Sequence, residues 1–410
     1  MGEGGEQRER ERRLIATISG KRTSAGLPSV LEALEKAKAV LVDIRQFIVQ
    51  DEFTLTLVIE LSDEEGQRET DIVKELLLCA HAMKLFVEFD VVQNRVVSEP
   101  GQVFVITMIS PVGPASSAFL VDICQVIAKY NGNIETITSL SRGSNGFISY
   151  EFSVRLAEKD LFRQLEKMRE GLLLLGKRAR GDIAIQRAGL LQRAKRMVVF
   201  DLSYTLISSD ANDILFKSAG VEESEEMPRE HDISDYAEQL EQRVSRLKGL
   251  QVSQVLEKAL SELTYTPGAF EVVRTLKKLG YKTAVISRGP RLIADAVKTT
   301  LGLDFAYGNE FLVEGDKFSG ELRTPAVDAR RKRDLLDMLL MHEKITTEQV
   351  IAVGDGPVSS KMLSHAGLAV AFDQPEAVDG LVYGRIHSRS LTSVLYLLGI
   401  SQDDIQSMSS

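Results

Sequence analysis

Four short apolar segments in the second half of the chain constrain its fold more than any other feature. They read MVVF (197–200), KTAVI (282–286), VIAV (350–353) and LAVA (368–371), and helical patterns separate them. Strands that are apolar on both faces and separated by helices are typical of a parallel sheet covered by helices on both sides. We therefore predict an α/β domain in which ligands bind at the carboxyl ends of the strands.

A long segment without strand signal, at about residues 210–264, separates the first of these strands from the second. It contains amphipathic helical patterns such as SDYAEQLEQRVSRLKGL and VSQVLEKALSEL. We predict a helical insertion that lies over the ligand edge of the sheet. A cap of this kind could exclude water from a bound ligand.

The first half of the chain repeats one order of elements. Strands of period two and helical patterns alternate as βαββαβ from Leu14 to about Val92, and the same order returns from about Gln102 to Ala188. A repeat of this length indicates two similar modules, because a solenoid needs shorter and more numerous units. The predicted division is a disordered tail (1–13), two modules (14–98 and 99–188), a linker (189–196), the α/β domain (197–400) and a second tail (401–410).

Length and charge limit the class of function. A chain of 410 residues is long enough for two or three domains, each with its own core. Its net charge of −9 argues against a nucleic-acid surface, because phosphate binding normally leaves a basic excess. The first residues, MGEGGEQRERERR, contain no apolar core, so we expect neither a secretory signal nor a membrane span there.

The cysteines and histidines give no signal for a disulfide framework or a metal site. Cys79 and Cys124 lie far apart in helix-like patterns and lack CxxC spacing, which fits buried thiols in a reducing compartment. The five histidines are scattered along the chain. We therefore expect a cytoplasmic protein.

Polar residues follow the strands of the predicted sheet. Asp201 follows MVVF, Ser287 follows KTAVI, Asp355 follows VIAV within the sequence VGDG, and Lys332 lies in DARRKRDLL. Two acids at the ends of neighbouring parallel strands can hold one Mg²⁺ between them and leave room for water and a phosphate. The hydroxyl and the ammonium could then contact the remaining phosphate oxygens.

Taken together and in this order, these features resemble the haloacid-dehalogenase superfamily of phosphotransferases, and more narrowly the phosphoserine phosphatases. The similarity covers roughly residues 195–400 with the spacing of the family. The two N-terminal modules resemble ACT domains, one or two of which precede the phosphatase domain in some members. The resemblance implies a Rossmann-like parallel sheet with a helical cap, preceded by two ferredoxin-like ACT domains.

The resemblance assigns the chemistry to a short motif around Asp201. In the family's DxDxT motif the first Asp is the nucleophile that accepts the phosphoryl group; Asp201 matches it, and Thr205 matches the threonine. The second Asp of the motif acts as general acid and then as base, and here it is Ser203. The metal positions of the family fall on Asp201, Ser203 and Asp355, which implies Mg²⁺ as the cofactor.

Further positions correspond to residues that bind phosphate and substrate in the family. Ser287 matches a phosphate donor, and Lys332 matches a lysine that steadies Asp201 and the transferred phosphate. Asp210 stands where the family has a Glu for the substrate's amino group, and Arg243 matches an arginine for its carboxylate. A solvated cation remains the alternative for both Lys332 and Arg243.

Two later motifs depart from the family. The second normally reads Ser-Gly-Gly-Phe and here reads SRGP (287–290), so that Gly289 is kept while Arg288 either adds a positive charge or fills the pocket. In the last motif Val358 replaces an asparagine near the substrate, and Ser359 replaces an acid that holds the water shell of the metal. Losses of the last kind typically cost about 10- to 100-fold in metal affinity or activity.

Two functions remain open from the sequence. The first is a Mg²⁺-dependent phosphomonoesterase that converts O-phospho-L-serine to L-serine through an aspartyl-phosphate and feeds serine synthesis. Its activity would be weak or altered, because Ser203 cannot act as a general acid at neutral pH. The second is a catalytically inactive pseudophosphatase that serves as an amino-acid-sensing or protein-interaction subunit, because four motif positions (203, 288, 358 and 359) depart together.

The ACT-like modules leave two roles open. In the family, amino acids bind near a glycine of the first strand-to-helix loop, and this loop, SGKRTSAGL, keeps Gly20 and Gly26 as possible effector contacts. Edge strands of the modules could instead pair between two copies and build a homodimer. We expect a small phosphorylated metabolite as the ligand, and neither nucleic acid nor a membrane as a partner.

Overall fold

The chain forms two compact units, residues 1–99 and 100–410. The computed structural model describes residues 12–21, 26–61, 66–93, 101–141, 146–189, 194–221, 233–373 and 381–409. Most of the predicted tail at 1–13, the junction of the two modules and half of the predicted linker lie outside these residues. Arg12 and Arg13, which we assigned to the tail, belong to the first strand. No helix within the described ranges is long and apolar enough to cross a bilayer.

The first unit is a four-stranded antiparallel sheet with two helices. Its strands follow the order β2-β3-β1-β4. Every second side chain of β1, from Leu14 to Ile18, is fully buried against the helices, as the period-two pattern predicts. The elements are β1 (Arg12–Lys21), α1 (Gly26–Lys36), β2 (Val40–Val49), β3 (Glu52–Leu61), α2 (Gly66–Ala82) and β4 (Phe86–Gln93).

The second unit begins with the same βαββαβ order. Its four strands are again antiparallel, in the order β6-β7-β5-β8. Two helices complete the module, and Cys124 on the first of them is a free thiol, as is Cys79 in the first unit. The elements are β5 (Gly101–Pro111), α3 (Pro114–Lys129), β6 (Asn133–Ser139), β7 (Phe147–Ala157), α4 (Leu161–Ala179) and β8 (Asp182–Arg187).

The rest of the second unit is the predicted α/β domain. Within the described residues its strands β11-β10-β9-β14-β15-β16 run parallel to one another. The strands are β9 (Met197–Phe200), β10 (Lys282–Pro290), β11 (Phe305–Asn309), β14 (Val350–Gly354), β15 (Leu368–Phe372) and β16 (Gly384–Ile386), with a hairpin of β12 (Phe311–Glu314) and β13 (Lys317–Leu322). The helices are α5 (Ala211–Ser218), α6 (Ile233–Ser245), α7 (Val252–Ser261), α8 (Ala269–Lys278), α9 (Arg291–Leu301), α10 (Ala329–Glu343), α11 (Ser360–Leu363), α12 (Ser393–Leu397) and α13 (Gln402–Ser409).

Strand β9 shows why an apolar run becomes a central strand. Val198 and Phe200 face one hydrophobic core, and Met197 and Val199 face another on the opposite side of the sheet. All four side chains are fully buried. Burial of such a side chain stabilises the fold by about 1.5–3 kcal/mol, so a strand with both faces covered must be apolar throughout. This confirms the predicted α/β class.

The second module and the α/β domain share one mixed sheet, which the sequence did not predict. Strand β8 pairs antiparallel with β16, so the sheet continues from β11 to β6. The junction is fixed by the buried Asp182, whose carboxylate accepts hydrogen bonds from the backbone N–H groups of His387 and Ser388 and from the Ser393 hydroxyl. The expected linker at 189–196 therefore does not separate two compact units; the division lies at residue 99.

Helices α5, α6 and α7 lie in the segment predicted as a cap, and the β12–β13 hairpin joins them. The N–H of Gly249 donates to the carbonyl of Phe318 at 2.8 Å, and that of Val252 donates to Asp316 at 2.9 Å. This contact could not be predicted from the sequence pattern, because the hairpin lies more than fifty residues further along the chain. The cap is thus built from two separate segments.

The predicted tail at 401–410 is helical over Gln402–Ser409 instead. Gln402 and Ile405 are buried, and the N–H of Gln402 donates to the carbonyl of Leu140 at 2.8 Å. These residues therefore form a helix and not a tail. Ile405 packs against the hydrophobic core of the α/β domain.

Candidate active site

Three neighbouring strands end at the same level and define the candidate site. Phe200 at the end of β9 pairs with Val285 of β10 on one side and with Val353 of β14 on the other. The backbone N–H of Asp201 still donates to the carbonyl of Val353 at 2.8 Å. The residues that follow these strands therefore meet at one edge of the sheet, as expected for a parallel sheet.

Asp201 is buried and held by three donors. Its Oδ2 accepts a hydrogen bond from Nζ of Lys332 at 2.6 Å and another from the hydroxyl of Ser359, and its Oδ1 accepts one from the N–H of Leu202 at 2.7 Å. The ammonium of Lys332 also donates to Oγ of Ser359 at 3.2 Å. Lys332 has no exposed surface, so it is the partner of Asp201 and not a solvated cation.

Asp355 lies beyond the end of β14, beside Asp201. Burial, together with the negative charge of Asp201, raises the pKa of Asp355 to about 7, while the charge of Lys332 opposes this shift. Mutual repulsion between two carboxylates is relieved when a cation binds between them. The electrostatics of the pair therefore suit a cation.

The donor set fits Mg²⁺. Within the described ranges no three His, Cys, Asp or Glu side chains form a metal cluster, so the carboxylates would need other oxygen ligands. Mg²⁺ is usually held by one or two carboxylates, with substrate phosphate and water in the remaining positions. Asp201 and Asp355 provide these two carboxylates at adjacent strand ends.

Ser203 and Asp210 both contact the N-terminal turn of α5. Oγ of Ser203 accepts a hydrogen bond from the N–H of Ala211 at 3.0 Å. Asp210 caps the helix, because its Oδ1 accepts hydrogen bonds from the N–H groups of Asn212 at 2.8 Å and Asp213 at 3.3 Å. The sequence suggested substrate contacts for Asp210 but missed this capping role.

The second motif lies at the end of β10 and is tightly packed. The hydroxyl of Ser287, which is buried, accepts a hydrogen bond from the N–H of Gly289 at 2.8 Å. A Cβ on Gly289 would lie 2.8 Å from Cβ of Ala211 and 3.1 Å from Oγ of Ser287. Only glycine fits between these two segments without a shift of the backbone.

Arg288 is held by two residues that sequence reasoning missed. Its guanidinium lies 4.7 Å from the centre of the Tyr236 ring, in a cation–π contact. Its carbonyl accepts hydrogen bonds from the Tyr236 hydroxyl at 2.9 Å and from the side-chain amide of Asn309. Burial raises the pKa of Tyr236, which keeps the phenol protonated as a donor. Asn309 could have been found as a polar residue at the end of β11, whereas no spacing marks Tyr236.

Arg243 is largely buried and contacts α5, so it is not a solvated cation. Its side chain is 12% exposed, lies 3.6 Å from a carboxylate oxygen of Asp213 and stacks 4.3 Å from the centre of the Phe216 ring. It thus packs against α5 beside the capping residue Asp210. A role in binding a substrate carboxylate stays a prediction.

The remaining sequence-predicted residues separate into two groups. Ser359, which we regarded only as a lost acid, directly contacts Asp201 and Lys332. Val358 beside it is half-buried. Gly20 and Gly26 belong to the first unit, where Gly20 is the last residue but one of β1 and Gly26 is the first residue of α1.

Comparison with known proteins identifies the class. The family model for haloacid dehalogenase-like hydrolases matches residues 198–359, and the model for the ACT domain matches residues 12–90. A crystal structure of a HAD family hydrolase from Salmonella enterica has the same fold, with a TM-score of 0.58 at 20% identity, covering 72% of this chain and 98% of its own. The chain therefore combines an ACT domain with a haloacid dehalogenase-like hydrolase domain.

Its curated relatives narrow the class. The chain is 36% identical to a phosphoserine phosphatase of Archaeoglobus fulgidus over 254 residues. The matched region covers 61% of this chain and 72% of the relative. The chain is also 28% identical to the phosphoserine phosphatase of Streptomyces coelicolor over 401 residues. That matched region covers 96% of this chain and 93% of the relative. The chain belongs to the phosphoserine phosphatase family, as the sequence motifs predicted.

Proposed function

We propose that the protein is a Mg²⁺-dependent phosphomonoesterase that slowly hydrolyses O-phospho-L-serine or a close relative and supplies serine. The observation that carries the proposal is the position of Asp201. Its carboxylate lies at the carboxyl edge of the parallel sheet, beside Asp355, and it is ion-paired with a buried Lys332. A carboxylate held in this way can act as a nucleophile towards phosphorus.

Each residue of the site has a separate role in this proposal. Asp201 and Asp355 would hold Mg²⁺ with an oxygen of Ser203, and the ion would supply positive charge to the phosphoryl oxygens. Lys332 holds the nucleophile in place and offsets the charge of the transferred group. Ser287 and the backbone at Gly289 would contact phosphate oxygens, because both lie at the end of β10 beside Asp201.

The substrate's amino acid portion would lie towards the cap. Asp210, Arg243 and Arg288 surround the N-terminal end of α5 and the end of β10. An ammonium group suits Asp210, and a carboxylate suits either arginine. Closure of the cap over this group would exclude water during the first step.

We propose that the activity is weak, because Ser203 cannot supply the proton that the serine oxygen needs as it leaves. General acid–base catalysis typically contributes about 10²- to 10⁴-fold in rate. Ser359 adds to this effect, since its hydroxyl donates to the same Asp201 oxygen that Lys332 contacts. Two donors on one oxygen lower its nucleophilicity.

An inactive pseudophosphatase is the second candidate. The hydrogen bonds that Lys332 and Ser359 donate to Oδ2 of Asp201 favour it. A carboxylate oxygen that is fully occupied by Lys332 and Ser359 must lose one of these hydrogen bonds before it can attack. In that case the site would bind an anion or a partner without turnover. The protein would then act as a sensor or an interaction subunit.

Phosphate release distinguishes the two candidates. The full chain is incubated with phosphoserine and with a small panel of phosphate monoesters, with Mg²⁺ or with a chelator, beside the variant Asp201→Asn. We expect slow release that requires Mg²⁺ and disappears in the variant. Release no higher than that of Asp201→Asn would contradict the enzymatic proposal and favour the inactive one.

We also propose an amino-acid effector for the ACT domain, near Gly20 and Gly26. Gly20 has a φ of +153°, which L side chains rarely adopt, and a Cβ there would lie 2.7 Å from a methyl group of Leu85. Isothermal titration with L-serine and other amino acids tests the effector role. The absence of binding heat with all of them would rule it out.

A homodimer through β2 is our proposal for the oligomeric state. β2 is the edge strand of the first sheet, and all ten of its residues are exposed, including Val40 (56%), Phe47 (57%) and Val49 (70%). Antiparallel pairing of two β2 strands centred on Ile44 would place Asp43 opposite Arg45 of the second copy. This pairing would satisfy the open backbone groups and match opposite charges.

Sedimentation of the full chain tests the dimer. We expect a dimer for the wild type and a monomer for Phe47→Glu, because a charge at this position disrupts the apolar strand face. Leu78→Glu, at an equally exposed leucine on α2, is the matched control and should remain dimeric. A monomeric wild type, or a dimer that survives Phe47→Glu, would contradict the proposal.

A further inference from the structure

Position 203 holds a serine, which does not titrate near neutral pH, where the resembled motif has the acid that transfers the proton. The hydroxyl of Ser203 is occupied on the acceptor side by the N–H of Ala211. An alcohol does not exchange its proton readily near neutral pH, unlike the carboxyl groups or imidazoles that normally act as general acids and bases. The position therefore has no means of protonating a leaving oxygen or of deprotonating an attacking water.

The described groups around Asp201 do not replace the missing function. Lys332 and Ser359 donate to Asp201 itself. Asp210 uses its Oδ1 to cap α5, where it accepts hydrogen bonds from the N–H groups of Asn212 and Asp213. Asp355 is the carboxylate that we assign to the metal. The nucleophile is thus built and oriented, whereas the proton carrier is absent from the part of the chain that the structure describes.

We propose that Asp201 accepts phosphoryl groups mainly from acyl phosphates and phosphoric anhydrides, and that the resulting aspartyl-phosphate accumulates. This inference rests on the proposed role of Asp201 as the nucleophile. It differs from phosphoserine turnover in the class of donor and in the long-lived state of the protein.

The first step needs no proton when the leaving group is a stable anion. A carboxylate oxygen of Asp201 forms a bond to phosphorus, and the bond between phosphorus and the leaving oxygen breaks. The electron pair departs with a carboxylate or a phosphate, both of which are stable without a proton at neutral pH. A serine alkoxide is not stable in this way, so it leaves slowly from the same site.

The second step is slow with every donor. Hydrolysis of the aspartyl-phosphate requires a water molecule to attack phosphorus and to give up a proton, and Ser203 cannot accept that proton. With the donor in excess, formation of the phosphoprotein therefore outpaces its loss. The site would then work as a switch that is phosphorylated on Asp201. Its turnover as a catalyst would be limited by the slow hydrolysis of the aspartyl-phosphate.

The charges of the site favour the phosphorylated state. Lys332 and the hydroxyl of Ser359 contact Asp201 directly, and Ser287 lies at the end of the neighbouring strand β10. Serines at 203 and 359, in place of two acids, remove repulsion from the added phosphoryl oxygens. Arg288 brings a further positive charge to the end of β10.

Intact-mass spectrometry of the full chain tests the inference. The protein is incubated in Mg²⁺ with acetyl phosphate, and separately with phosphoserine, and is then quenched in acid. We expect the mass of one phosphoryl group to be added by acetyl phosphate, little addition by phosphoserine, and removal of the group by hydroxylamine, which cleaves acyl phosphates. Peptide mapping of the wild type should locate the group on Asp201, so the result does not depend on the folding of a variant.

Variants then test the cause. Asp201→Asn should show no added mass. Ser203→Asp should shorten the lifetime of the phosphoprotein by about 10²- to 10⁴-fold, because a carboxylate at this position can accept the proton of water. Ser208→Asp, in the same loop with an exposed side chain, is the control and should leave the lifetime unchanged.

The outcomes separate this inference from the proposed function. Phosphoserine hydrolysis that depends on Asp201, without any phosphoprotein from acetyl phosphate, would overturn the inference and leave the proposed function in place. Phosphoprotein from acetyl phosphate without phosphoserine hydrolysis would support the inference and contradict the proposed function. A phosphoryl group located elsewhere, or equally formed by Asp201→Asn, would overturn the inference.

Discussion

The ammonium nitrogen of Lys332 lies 2.6 Å from Oδ2 of Asp201, and both side chains are almost fully buried. The two residues are 131 positions apart in sequence and come from α10 and from the end of β9. In surroundings with little water each charge depends on the other, because an unpaired buried charge is strongly unfavourable. The pair therefore links the position of Asp201 to the stability of the domain.

Replacement of Lys332 by Met should destabilise the protein. The change keeps most of the apolar side chain but leaves the carboxylate of Asp201 without its ion-pair partner. We expect a loss of about 3–5 kcal/mol in the free energy of unfolding, measured by urea denaturation. Arg330→Met, at an exposed position of the same helix, should change this free energy by no more than about 0.5 kcal/mol. Equal stability of the two variants would show that the ion pair contributes little.

Replacement of Ser203 by Asp should increase phosphoserine hydrolysis. The new carboxylate can still accept the N–H of Ala211, and it can also carry the proton that the leaving oxygen needs. We expect kcat to rise by about 10²- to 10⁴-fold, measured by phosphate release. Ser208→Asp adds the same charge in the same loop and should have no such effect. An unchanged kcat would mean that the missing general acid is not what limits the rate.

Replacement of Gly289 by Ala should harm both packing and phosphate binding. Its Cβ would approach Ala211 and the hydroxyl of Ser287, which we place against the phosphate. Overpacking of this kind typically costs about 1–3 kcal/mol, seen as a lower urea midpoint, and KM should rise as Ser287 is displaced. Gly356→Ala is the stability control, because a Cβ there has no neighbour within 4 Å. A stable Gly289→Ala with unchanged KM would place the phosphate elsewhere.

Stability should rise with pH because of Lys195. This side chain is buried, donates to the carbonyl of Glu348 at 2.5 Å, and has its pKa lowered by burial from 10.5 to about 8. Between these values the unfolded chain binds more protons at Lys195 than the folded one, so raising the pH favours the folded state. The cost of the buried charge is fully present below about pH 8.

The variant Lys195→Met isolates this contribution. Urea denaturation from about pH 7 to about pH 10 gives the free energy of unfolding of both proteins. Above about pH 8 the value for the wild type should rise relative to that for the variant by at most about 1.4 kcal/mol per pH unit. The difference should stay constant below that pH. A constant difference over the whole range would show that Lys195 keeps its ordinary pKa in the folded protein.

Some of the site could be predicted from local pattern alone. The apolar run before Asp201 and the run before Asp355 mark two parallel strands, and parallel strands end at a common edge, so their acids were expected to meet. The place of Lys332 in the site was predicted from its spacing to the last motif. The burial of Lys332 was not predicted, because its neighbours Arg330, Arg331 and Arg333 give the same local composition as a solvated helix face.

Other features depend on contacts between distant segments. Tyr236 and Asn309 hold the carbonyl of Arg288 although they lie 52 and 21 residues from it. Ser359 donates to Asp201 across 158 residues. No periodicity encodes such pairs, since hydrogen bonds between loops depend on how the loops are brought together by the sheet.

The sequence by itself determined the parallel strands of the α/β domain, the βαββαβ order of the two modules and the motifs that mark the phosphoserine phosphatase family. Local hydrophobic periodicity and residue chemistry are sufficient for these, because they depend on a residue and its near neighbours. Only the tertiary structure decided that β8 joins β16 in one sheet, that the β12–β13 hairpin completes the cap, and that Ser359 contacts Asp201. These depend on which buried surfaces and backbone groups satisfy one another across the folded chain.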